Sequence, residues 1–194
     1  MLILLQNAKF ELLFLILLKY FNKISNKLFF IVLLFLIYFF RSPTIQYNKG
    51  IVSPTFGKVL DIIKNKDETI FQIFLNINDP HIQYFPCHGK VLKQIYIKGS
   101  FHPAYFLKKS KHNERMITLL DTHDNGIIKI IQYGGMLVRR IVSFVEPPTN
   151  VVKNQMLGMI KFSSRVDIHI PHSQYKNINV NIGDYVKGGD TLMF

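Results

Sequence analysis

The residues of this chain best suited to chemistry fall in four short groups. Asp79-Pro80-His81 sets an imidazole two residues after a carboxylate, and an imidazole can take up or deliver a proton near neutral pH. Phe162-Ser163-Ser164-Arg165 presents two hydroxyls beside a guanidinium. Asn113-Glu114-Arg115 and Arg139-Arg140 add further arginines, whose planar fork suits a carboxylate or a phosphate. Taken singly, each group has a plainer reading. A lone histidine after a strand is more often structural, and an isolated Phe-Ser-Ser-Arg is a polar turn between two strands. Neighbouring strand residues point to opposite faces, so at most one of Arg139 and Arg140 addresses a given site, and the other is a solvated or membrane-facing charge. His169 alternates with Ile168 and Ile170 and reads as structural, while His88 and His172 are less distinctive. There is no Gly-rich phosphate loop, no GxSxG elbow and no histidine pair at metal spacing, so no metal is expected.

The elements that position these groups come from the remaining pattern. At 194 residues the chain suits one domain with an appendage. The appendage is residues 1–41, with apolar runs Phe10 to Leu18 and Leu28 to Phe40 around the polar stretch Lys19 to Lys27. The second run has 13 residues and covers only about 20 Å of a hydrocarbon core near 30 Å. A helical hairpin dipping into one leaflet, or one tilted helix recruiting its flanks, is expected rather than two crossings. No small-residue cleavage site follows either run, so the anchor is expected to be retained. The net charge of +12 seeks anionic partners. Lys9, Lys19, Lys23, Lys27 and Arg41 flank the apolar runs with Glu11 as the one acid there, which points to a membrane surface rather than to nucleic acid. Cys87 is the single cysteine, excluding an internal disulfide framework and a cysteine-rich zinc site.

After Arg41 the chain breaks into short β-type runs: Gly57 to Ile63, Thr69 to Asn76, Lys90 to Ile97, Ile117 to Thr122, Ile127 to Tyr133, Gln155 to Phe162 and Val166 to Ile170. Asn125-Gly126 is the strongest hairpin signal, and Val180 to Leu192 reads as strand, turn, strand. The expected fold is mostly β over 42–194, a compact barrel-like or sandwiched antiparallel sheet domain behind a helical membrane anchor.

An ordered series of blocks gives these groups a common context. They are Phe39-Phe40-Arg41-Ser42-Pro43, Val52-Ser53-Pro54-Thr55-Phe56-Gly57-Lys58-Val59, Ile73 to Asn76 leading into Asp79-Pro80-His81, and Pro86-Cys87-His88-Gly89-Lys90-Val91. Asn113-Glu114-Arg115, Gly135 to Val142, Gly158 to Pro171 and Gly183 to Thr191 follow. In order and spacing they resemble the phosphatidylserine decarboxylases in their short bacterial form, from about residue 39 to the C-terminus. The resemblance implies a self-processing enzyme: Ser164 attacks the preceding carbonyl, the ester eliminates, and the chain parts between Ser163 and Ser164 into two associated fragments. The new N-terminus is a pyruvoyl group. Such a ketone is an electron sink for decarboxylating phosphatidylserine to phosphatidylethanolamine without pyridoxal phosphate. The resemblance also implies proton handling by His81, substrate contacts by Arg115, Arg139 and Arg140, and a place on a bacterial cell membrane.

Two positions depart from the family pattern. Phe56 stands where the family carries an aspartate that helps activate the serine, and a phenyl ring neither accepts a proton nor orients an imidazole. Ser163 stands where the family carries glycine, which tolerates strained backbone far better. Gln83 and Tyr84 also replace a common Asn-Arg. Slowed maturation is expected, and a catalytically impaired relative acting as a non-enzymatic lipid-binding protein is the alternative. An unrelated lipoyl-like domain is a weaker one, resting on the C-terminal glycines alone.

Overall fold

The computed structural model describes residues 8–122, 126–135, 141–161, 164–172 and 177–194. It divides into two compact units, the first ending at Pro43 and the second running Thr44–Phe194. In the first unit, α1 (Lys9–Tyr20) and α2 (Asn26–Phe39) form a hairpin. α1 carries Glu11 in its first turn and Lys19 in its last, each complementing the helix dipole. Asn22 ends it in the left-handed region at φ 51, and Ser25 starts α2 by accepting from Leu28 N at 3.3 Å. Leu15, Leu18, Leu28, Val32 and Leu36 line the seam between the two helices. The 14 residues of α2 extend about 21 Å, and no helix among the described residues is long and apolar enough to cross a membrane. The expected tilted, spanning form of the anchor is therefore replaced by two short helices.

The second unit is mostly β. Its strands are β1 (Ile51–Val52), β2 (Gly57–Lys64), β3 (Glu68–Leu75), β4 (Ile82–Tyr84), β5 (Gly89–Ile97), β6 (Arg115–Asp121) and β7 (Ile127–Tyr133). They continue with β8 (Ile141–Ser143), β9 (Thr149–Val151), β10 (Met156–Ile160), β11 (Ser164–Pro171), β12 (Tyr185–Val186) and β13 (Thr191–Met193). One helical turn, α3 (Leu107–Ser110), interrupts them. The main sheet has the order β12-β2-β3-β11-β7-β6-β5-β9, beside a three-stranded sheet β4-β10-β8 and the pair β1-β13. All these strand pairs are antiparallel.

The expected barrel does not close. The main sheet ends in β12 and β9, two and three residues long, too few backbone groups to complete a ladder. The C-terminal strand, turn, strand is present, with β12 paired to β2 and β13 to β1 rather than to each other. The β6–β7 hairpin forms, with Asp121 opposite Ile127 and Gly126 at φ 70; Asn125 lies outside the described residues. The core gathers Phe71, Ile73, Leu75, Ile128, Ile130, Val166, Ile168 and Ile170 from the central strands. β11 is central because both its edges are paired, with eight residues in register against β3 and five against β7.

Candidate functional site

Ser164 is the first residue of β11, opposite Leu75, the last residue of β3. Strand alternation puts it on the same face as Val166, Ile168 and Ile170, all fully buried like Ser164 itself. Its Oγ is buried and makes no hydrogen bond among the described residues. A buried hydroxyl without a partner costs stability.

His81 meets the same corner through the backbone. β3 runs from Leu75 into the turn Asn76–Asp79, closed by Asp79 N donating to Asn76 O at 2.9 Å and by Asn76 N donating to Asp79 Oδ2 at 2.7 Å. Next along the chain, the His81 carbonyl accepts from Ile160 N, the last residue of β10, at 3.2 Å. The two ends of the segment carrying Ser163 are thus tied to the strand and the loop that flank His81. The imidazole is fully buried, with Nδ1 2.6 Å from the Asp79 carbonyl oxygen. A carbonyl can only accept, so Nδ1 carries the proton and a neutral ring holds its lone pair on Nε2. The Asp79 carboxylate is engaged elsewhere, its Oδ1 accepting from Tyr185 Oη at 2.6 Å.

A pair of buried amides continues the polar cluster. Gln83 Nε2 donates to the His81 carbonyl at 2.8 Å, and Gln132 Nε2 donates to Gln83 Oε1 at 2.8 Å. Because the series starts on a carbonyl, its direction is fixed and it ends on Gln132 Oε1, which is buried without a hydrogen bond among the described residues. Gln132 sits opposite Val166, on the Ser164 face of the sheet. The hydrophobic face therefore gives way at this end to two buried oxygens, one a potential nucleophile and one an acceptor.

The opposite face holds an ion pair that sequence reasoning did not single out. Arg165 is 1% exposed and Asp167 3%; Nε lies 2.8 Å from Oδ1 and Nη2 donates to Oδ2 at 3.2 Å. The Nε approach is an ionic contact rather than an aligned hydrogen bond. Nη1 donates to Ser110 Oγ at 2.6 Å, Gln72 Nε2 donates to Asp167 Oδ2 at 3.0 Å, and the guanidinium lies 4.2 Å from the Tyr133 ring centre. Burial pushes the Asp167 carboxyl up to about 6, against the pull of Arg165, Gln72 and Tyr133. The signal was present as charges at i and i+2 on a strand, which share a face.

The remaining candidates separate. Phe56, 8% exposed, immediately precedes Gly57, whose φ of 150 and close approach to the Phe74 carbonyl leave no room for a Cβ. Lys58, next in β2, lies opposite Phe74, which in turn lies opposite Arg165, so Phe56 is at the Ser164 end of the sheet. Its ring packs on Gly188, where any side chain would collide with Cε2. Arg115 Nη1 donates to the Lys111 and Asn113 carbonyls, both at 3.2 Å. Asn113 is consumed by His102 and Gly134. His169 bonds Glu68 at 2.9 Å between buried neighbours, and burial lowers its proton affinity. Ser163, Arg139 and Arg140 lie outside the described residues.

Comparison with known proteins follows this geometry. The family model of phosphatidylserine decarboxylase matches residues 32–194. A phosphatidylserine decarboxylase proenzyme of Syntrophus aciditrophicus is 37% identical over 168 residues, covering 81% of this chain and 78% of the relative. The proenzyme of Carboxydothermus hydrogenoformans is 36% identical over 174 residues, covering 84% and 81%. That of Desulfotalea psychrophila is 31% identical over 169 residues, covering 82% and 78%. The chain belongs to the phosphatidylserine decarboxylase family.

Proposed function

We propose that this chain decarboxylates phosphatidylserine to phosphatidylethanolamine at a membrane surface, with a pyruvoyl group that it makes from Ser164. The observation that carries the reading is the buried Ser164 Oγ at the head of β11, without a hydrogen bond among the described residues, with a buried imidazole of fixed tautomer on the loop that leaves its partner strand β3.

In maturation, Ser164 Oγ gives its proton to a base and attacks the carbonyl carbon of Ser163. The peptide C–N bond breaks, leaving an ester on Oγ and a free amine at residue 164. Elimination then breaks the Cβ–Oγ bond and frees residue 163 as a carboxylate. Hydrolysis of the resulting enamine, through its imine, takes up water and releases ammonia. His81 is the fitting base, because Nε2 carries the lone pair while the Asp79 carbonyl holds Nδ1–H. That carbonyl fixes the ring, while Phe56 offers no carboxylate to assist the proton transfer. When formed, the pyruvoyl group supplies an electron sink conjugated to the substrate α-carbon. His81 then protonates the carbon that has lost carbon dioxide.

Fragment association has its own support. Residues 164–194 stay bound after cleavage through the β11 ladders to β3 and β7, through Ser53 N to Asp190 O at 2.7 Å and through Tyr185 to Asp79. Membrane residence rests on the helical hairpin, whose Phe10, Phe14, Phe30 and Leu34 side chains are more than half exposed.

A second reading is a non-cleaving relative that keeps the fold and binds anionic lipid, favoured by Phe56 packed on Gly188. Intact mass separates the two. The enzyme yields a C-terminal fragment starting at residue 164 with a ketone end, and Ser164→Ala remains one full-length chain. Losing a positioned general-base aid costs about 10² to 10⁴-fold, so Phe56→Asp is expected to accelerate fragment appearance. Wild-type protein that stays intact over days while folded gives the second reading instead.

A further inference from the structure

The segment between β5 and β6 is an exposed projection with a rigid base. Ser100 and Asn113 bridge its ends, and Asn113 donates from Nδ2 to the His102 and Gly134 carbonyls at 2.7 and 2.8 Å. Ser110, fully buried, donates to the Ala104 carbonyl at 3.2 Å and accepts from Arg165 Nη1 at 2.6 Å. The projection is thus fastened to the residue that follows Ser164. At its tip Tyr105 and Phe106 are 51% and 52% exposed, with ring centres 4.4 Å apart. Tyr105 is kept upright by an edge contact with Phe74 at 5.9 Å. Beside the tip lies a groove of about 340 Å³ lined by Tyr105 to Lys109. Lys108 and Lys109 are exposed on its lining, Lys98 and Lys111 are exposed in the same segment, and residues 98–113 contain no acid.

A preformed aromatic tip ringed by lysines, with no acidic residue to balance them, is the chemistry of a surface that meets a negatively charged lipid interface. The rings enter the headgroup boundary, and the lysine stems lie along it with their ammonium groups at the phosphates. We propose that the Tyr105–Phe106 projection docks the β domain on an anionic bilayer, separately from the N-terminal helices. The inference rests on the lipid-substrate reading above and adds to it a contact on the β domain itself.

The chain has no tryptophan, so Phe106→Trp in the full-length protein places a single reporter at the tip. With vesicles of 30% phosphatidylserine in phosphatidylcholine, its emission is expected to shift to the blue and to be quenched by brominated acyl chains. Ile127→Trp, at the far end of the β6–β7 ladder from Arg115 and Tyr133, is expected to show neither. Changing Lys108, Lys109 and Lys111 to Gln in the reporter background is expected to weaken insertion by roughly fivefold per lysine. The proposal is overturned if the Phe106→Trp signal stays aqueous while the protein cosediments with the vesicles. It is equally overturned if soluble glycerophosphoserine or polyglutamate produces the same shift, since the projection then reads a headgroup or an acidic chain rather than a bilayer. Circular dichroism confirms that each variant is folded, and fragment mass on the same samples reports maturation independently of docking.

Discussion

The two units of this protein use similar apolar residues to opposite ends. In the β domain, Phe71, Ile73, Val166 and Ile168 are fully buried, and polar groups that enter the core are mostly hydrogen-bonded. In the helical hairpin, Phe14 is 62% and Leu34 65% exposed, with only Leu15, Leu36 and Phe39 buried in the two helices. Burying one such side chain is worth about 1.5–3 kcal/mol, so the β domain has used its driving force internally while much of the hairpin's apolar surface is left exposed. A domain of the first kind can hold strained or unsatisfied groups such as Ser164 Oγ.

Removing residues 1–41 is the largest perturbation of that contrast. The full-length chain is expected to stay on vesicles in high salt, because screening weakens charge contacts and leaves apolar burial intact. The truncated chain is expected to come off with salt, as sedimentation at low and high ionic strength will show. If salt alone strips the full-length protein, the hairpin does not insert.

Within the β domain, Arg165→Leu leaves Asp167 buried without its cation, and breaking such a pair costs about 3–5 kcal/mol, measurable by urea unfolding. Burial already raises the Asp167 carboxyl to about 6, and losing Arg165 raises it further. A group whose folded pKa is raised favours the fold below its unfolded value and loses that contribution as pH rises. The destabilisation is therefore expected to be larger at pH 8 than at pH 5. An equal loss at both values would mean that Asp167 does not change its protonation.

Cys87 tests how closed the same core is. Burial pushes its thiol from 9.0 up to about 12, with Lys153 pulling the other way. Alkylation at pH 8 runs through the thiolate, so the folded domain is expected to react about a thousandfold more slowly than the urea-unfolded chain. By the same linkage, stability from this group is lost as pH rises from 9 toward 12. Rapid labelling in the native state would contradict the packing. The smallest effect is expected from Tyr185→Phe, which removes the hydrogen bond to Asp79 and lowers stability by about 1 kcal/mol in thermal melts.

Much of this was legible in the chain. Alternation in Val166, Ile168 and Ile170 marked a central strand, the Asn125-Gly126 signal joined β6 to β7, and the ordered blocks led to the family. Strand ends were off by a residue or two, and β4, β8 and β9 were not foreseen, being three residues each with no room to display a period. That Arg115 holds two backbone carbonyls of its own loop through Nη1 is a local contact no motif displays.

The sequence by itself determined the mostly β class, the apolar N-terminal helices and the family, because periodicity, composition and motif order are local properties of a chain. Tertiary structure decided the rest. It left the main sheet open rather than closed into a barrel, sent β12 and β13 to different sheets, and joined Tyr185 to Asp79 across 106 positions. It also ended the amide series on Gln132 Oε1, which has no hydrogen bond among the described residues, and tied Arg165 to the aromatic projection through Ser110. These are contacts between residues far apart in sequence, selected by which faces can be buried together, and no local pattern encodes that choice.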